Sequence, residues 1–142
     1  MEISFVAVKP LAIILAAVVA FVIGGIWYGA LFGKTWPKLH GYEGEKLDAM
    51  AKSQAKAFGI MFAAEVVMAI GLAILIGTFG IHSATGGAML GFLLWAAVGI
   101  TETALQNAAH RKSLAAYAID VGHQLLYLLA AGAIIGWFAP TA

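Results

Sequence analysis

The stretch SLAAYAIDVGHQLLYLLAAGAIIGWF, Ser113 to Phe138, is apolar on most faces, yet it holds Asp120 and His123 three residues apart. It is longer than the roughly 20 residues that a helix needs to cross a hydrocarbon core of about 30 Å. Three runs of the same kind precede it, so that the spans fall at about 11–33, 57–80, 86–109 and 113–138. The first contains no charged residue, the second is interrupted only by Glu65 and the third only by Glu102. The 142 residues are 63% hydrophobic and 11% charged, against roughly 25% charged in soluble domains. Membrane barrels are excluded, because their strands alternate apolar and polar residues. The sequence therefore predicts an all-α integral membrane protein, a single domain over 1–142 with four transmembrane helices in a bundle.

The first run is read as a retained span. Glu2 spoils a basic leader, the apolar run is too long, and Ala17 to Ala20 is no small-x-small cleavage site. Cysteine is absent, which removes disulfides, thiolate metal sites and cysteine nucleophiles together. Basic residues set the orientation. Lys34, Lys38, Lys46, Lys52, Lys56, Arg111 and Lys112 lie on one side and only Lys9 on the other. The expected topology is N-out and C-out, with a cytoplasmic loop at 34–56. Good helix formers from Glu45 to Phe58 extend helix two into the cytoplasm.

Gly25, Gly29 and Gly33 repeat at four-residue spacing in helix one, beside a row of Ala16, Ala20 and Gly24; Gly132 and Gly136 repeat the spacing in helix four. Such rows let helix backbones approach closely in lipid, within one bundle or between copies in a homo-oligomer. Trp27, Tyr28 and Trp36 gather at the cytoplasmic end of helix one and are read as interfacial anchors.

Depth along each helix brings the ionisable residues together. From the cytoplasmic side Glu65 lies about 12 Å in, Glu102 and Asp120 about 10 Å and His123 about 15 Å. Helix four carries a polar stripe of Ser113, Tyr117, Asp120, Gln124 and Tyr127, and helix three carries Glu102, Gln106 and His110. A polar stripe in lipid turns toward other helices or water, so the expected site is a polar seam of Glu65, Glu102, Asp120, His123, Gln124, Gln106 and Tyr117. Three anions there need protonation, a protonated His123, or a bound cation. His40 and His82 fall in loops and are read as solvated.

The segment GGIWYGALFGKTWPKLHG, Gly24 to Gly41, resembles a bacterial membrane family catalogued as domain of unknown function 1761. The resemblance rests on Trp27-Tyr28, Phe32-Gly33-Lys34 and Trp36. It continues through Thr101, Thr103 and Asn107, then Ile119 to Leu125 and the glycine-rich exit Gly132 to Trp137. Two positions depart from the family pattern: an amide is commoner at the place of Asp120 and an aromatic at that of His123. The resemblance implies four helices in a bacterial inner membrane and no established activity.

Three function classes follow. The first is proton or cation handling through the acidic and histidine cluster, with coupling to a small solute as an extension. The second is a non-catalytic structural or accessory subunit of a larger membrane complex, its polar layer serving as interhelical hydrogen-bond glue. The third is a single-metal carboxylate and histidine site on Glu65, Glu102, Asp120 and His123, after the Glu-x-x-His pairs of four-helix carboxylate proteins. No cofactor is specified, since one helical histidine is a weak haem signal. Phosphate loops, nucleophile elbows, zinc-protease motifs and basic-aromatic grooves for nucleic acid are missing, so an enzyme is the lesser expectation. The expected partners are the lipid bilayer and further copies of the chain.

Overall fold

The structure is a computed structural model and describes residues 2–140. Four helices are long and apolar enough to cross a membrane: Pro10–Leu31, Gln54–Thr78, Ala84–Ala109 and Leu114–Phe138, here the first to fourth spans. Two short helices, Thr35–Leu39 and Glu45–Lys52, lie in the loop between the first two spans. The chain is a multi-pass, all-helical membrane protein.

Local chemistry sets the span ends. Pro10 occupies the first turn of span one, where a missing N–H costs nothing. Ser83 and Ser113 cap the third and fourth spans, their hydroxyls accepting from the N–H groups of Gly86 and Ala116. Gly80, at φ +63°, takes the left-handed position that ends span two, and the Ile81 N–H closes back on the Ile76 carbonyl at 3.0 Å. The expected continuous extension of helix two is broken at Ser53. Its hydroxyl donates to the Met50 carbonyl at 3.1 Å, a side-chain bond that competes with the helical ladder.

Span four is the hub, packing against all three other spans, while the second and third scarcely meet. The closest approach is between spans three and four. A Cβ on Gly87 would collide with the Gly132 carbonyl, one on Gly91 with the Leu128 carbonyl, and one on Gly136 with the Ser83 carbonyl. Gly132 and Gly136 therefore pack within the chain. Gly25 and Gly29 do not: a Cβ on either meets nothing within 4 Å, and one on Gly33 meets only its own preceding turn at Gly29. Span one turns the neighbouring row inward instead, with Ala16 and Ala20 fully buried. Ile76, Ile135, Leu72 and Ala73 complete the core. Span three is the least covered, with 6% of its central window buried against 22–28% in the others.

Two spans contain a π turn: Ile26–Leu31 in the first and Trp95–Gly99 in the third. The Phe32 N–H donates to the Trp27 carbonyl, five residues back, at 2.9 Å. A π turn inserts one residue and re-aims the side chains around it. Here both turns carry a tryptophan that reaches span four.

Candidate functional site

Asp120 lies on the fourth span at the end of the bundle that carries the basic loops. The first and third spans grip the backbone on either side of it. Trp27 Nε1 donates to the Ile119 carbonyl at 3.0 Å, and Trp95 Nε1 donates to the Val121 carbonyl at 2.7 Å. A Cβ on Gly122 would stand 3.0 Å from Trp27 Cζ2, so glycine there leaves room for the indole.

Three side chains bond the Asp120 carboxyl. Tyr28 Oη donates to Oδ1 at 3.0 Å, Trp36 Nε1 donates to the same oxygen at 2.8 Å, and His40 Nε2 lies 3.1 Å from Oδ2. The π turn presents Tyr28. The short helix Thr35–Leu39 presents Trp36 and, one turn on at its C-cap, His40. These two rings stack with centroids 4.1 Å apart and planes 24° from parallel. Lys112 Nζ donates to the His40 carbonyl at 2.9 Å, tying the loop to the start of span four.

The proton count at His40 follows from its partners. Nδ1 lies 3.0 Å from the Trp36 carbonyl, which can only accept, so that contact is a hydrogen bond when Nδ1 carries the hydrogen. A neutral ring then has a bare lone pair on Nε2, which would face the carboxylate oxygen. The contact is a hydrogen bond only if one further proton lies between Nε2 and Oδ2, belonging to an imidazolium or to a carboxylic acid. With the two side chains only 13% and 24% exposed, the pair is shielded but within reach of water.

A second polar group lies beyond Tyr28. The His123 ring packs against Tyr28 with centroids at 4.8 Å and against Tyr127 at 5.0 Å. Its Nε2 is buried without a hydrogen-bonding partner in the protein, facing the space that Gly24 leaves open. On span two, Glu65 Oε2 is likewise buried without a hydrogen-bonding partner in the protein. Gln124 donates to Thr103 Oγ1 at 2.8 Å, and its own Oε1 is the third unpartnered buried atom. Tyr117 Oη donates to the Ile100 carbonyl at 3.3 Å.

The expected seam thus divides. Asp120 and His123 share Tyr28, and Glu65 is a separate buried polar position on span two. Glu102, Gln106 and His110 instead face outward, all exposed, with Gln106 Nε2 donating to Glu102 Oε1 at 3.1 Å. The neighbouring row turns inward: Thr103 meets Gln124, and Asn107 donates to the carbonyls of Lys112 and Ser113. Among the described residues no three His, Asp or Glu side chains stand close enough to share a metal ion. The four residues weighed for a metal do not form one donor set.

Two readings of the loop need correction. His40 is not solvated; it is packed under Trp36 and bonded to Asp120. Tyr28 and Trp36 do more than anchor at the interface, since both donate to the same carboxylate oxygen. The signal in the sequence was the four-residue step from Trp36 to His40, one turn of helix that places both rings on one face.

A four-span bundle with a partly buried carboxyl held by its own loop defines the class of a multi-pass helical membrane protein. The chain belongs to the family described as "Protein of unknown function (DUF1761)", which it matches over residues 11–136. No curated protein and no solved structure matches it.

Proposed function

We propose that the chain is a proton-handling membrane protein whose loading site is the His40–Asp120 pair. The observation that carries this reading is the proton count: both ring contacts of His40 are hydrogen bonds at once only with one exchangeable proton beyond a neutral ring and a carboxylate. The pair lies at the basic end, beside Lys112, where water can deliver and remove that proton. His123 and Glu65 are the next ionisable groups inward, and their unpartnered buried atoms are suited to transient protonation. In this reading the basic end faces the cytoplasm of a bacterial inner membrane, with both termini outside, as the distribution of Lys and Arg favours.

The test is proton movement in vesicles that contain the full chain and an internal pH-sensitive dye. Under an imposed potential, vesicles with the protein should equilibrate faster than empty ones. Asp120→Asn and Glu65→Gln should each remove most of the difference. Flux equal to that of empty vesicles, or flux untouched by both substitutions, would overturn the proposal.

A second reading is favoured by one observation: both oxygens of Asp120 are already bonded, by three donors from span one and its loop. On this reading the site fastens the loop to span four, and the chain is a structural or accessory subunit of a larger membrane complex. Asparagine separates the two. Its Oδ1 can accept from Tyr28 and Trp36 while its N–H donates to the bare Nε2 of a neutral His40, so fastening survives but proton exchange does not.

A further inference from the structure

The outward row of span three is unexplained by the proton site. Glu102 precedes the end of the span at Ala109 by seven residues, or about 10 Å. The span is 26 residues long, about 39 Å against a core of about 30 Å, so Glu102 lies roughly 6 Å inside the hydrocarbon when the span is centred. A carboxyl exposed at that depth is costly against lipid, and intramembrane polar groups are covered by protein or water; Gln106, three residues from the span end, lies at about the hydrocarbon boundary. Among the described residues nothing covers them: Glu102 and Gln106 bond only to each other, and Val98 and Leu105 beside them are 58% and 67% exposed.

The spacing says what shape the cover has. Val98, Glu102, Leu105 and Ala109 follow at steps of four, three and four, the spacing of a seam that packs against one neighbouring helix. Gln106 flanks that seam. Its amide keeps one N–H and its carbonyl free, and Glu102 keeps one oxygen free, so the pair is short of one matching donor and acceptor set. Copies of one chain share one orientation in the membrane. A two-fold axis along the membrane normal therefore sets each residue opposite its own counterpart at equal depth.

We propose that this face, Val98 to Ala109 of span three, is a two-fold interface with a second copy of the chain, centred on Glu102 and Gln106. The two Glu102 carboxyls meet across the axis and share a proton, and each Gln106 amide turns its free N–H to the carboxyl of the other copy. The apolar Val98, Leu105 and Ala109 layers close above and below. The open glycine ridge of span one, Gly25 and Gly29, lies outside this interface.

The chain has no cysteine, so a single introduced thiol reports one position. The full chain is reconstituted in vesicles at low protein density and oxidised as Leu105→Cys, Ala109→Cys or Gly29→Cys. Covalent dimers should form with the first two and not with the third. Glu102→Leu, a change on an exposed face of the fold, should weaken association by about five- to thirty-fold in an energy-transfer dilution series, in line with an interhelical hydrogen bond in lipid. Glu102→Gln, which can still donate and accept across the axis, should keep most of it. Covalent dimers through Gly29→Cys alone would place the interface on span one. Absence of dimers at every position would leave lipid as the cover, as would association indifferent to Glu102→Leu. Each of these results overturns the proposal.

Discussion

At Asp120 the chemistry turns on the difference between a carboxylate and an amide. Asp120→Asn should keep unfolding stability within about 1 kcal/mol, because the three hydrogen bonds can be redrawn around a neutral His40. Asp120→Leu strands the donors of Tyr28, Trp36 and His40 and should cost about 2 kcal/mol or more in the same detergent unfolding measurement. The residue scale was only partly legible in sequence. Asp120 and His123 announced themselves by their cost in an apolar run, whereas His40 lay in a polar loop, where a solvated histidine is the ordinary outcome.

Among the helices, small residues decide which faces meet. Gly87→Ala or Gly132→Ala would push a methyl into a facing carbonyl and should splay the pairing of spans three and four, lowering stability by about 1–3 kcal/mol. Gly25→Ala should be neutral or slightly stabilising, since nothing lies within reach of its Cβ and alanine is the better helix former. Equal losses at Gly25 and Gly87 in thermal unfolding would contradict the packing. Hydrophobic length made the four spans readable, because a run apolar on most faces has few alternatives to crossing a membrane. It could not say which glycine row turns inward. Every face of span one is apolar, so no amphipathic stripe marks the buried side, and shape alone chooses the row of Ala16, Ala20 and Gly24. Nor was either π turn visible, since inserting one residue leaves composition and hydropathy unchanged.

For the whole molecule, the proposed orientation sets what the proton site can reach. A cysteine label in the loop at Gly44 should react from the cytoplasmic side and one placed after Pro140 from the outside; the reverse pattern would turn the His40–Asp120 pair to the opposite compartment. The architecture gives that pair a consistent setting. Span four is held by an indole from each of two neighbours, its carboxylate is closed over by the following loop of span one, and the unpartnered atoms of His123 and Glu65 lie further along. The fold's position in a membrane follows from composition, whereas the site depends on a loop folding back onto a carboxyl 80 to 84 residues further along the chain, about two helix turns from the basic end. The most direct test is the nitrogen spectrum of the His40 ring in the reconstituted full chain. The account expects a protonated Nδ1 and a strongly shifted proton on the Nε2 to Oδ2 contact, missing in Asp120→Asn. A His40 ring protonated on Nε2 alone, insensitive to Asp120→Asn, would contradict it.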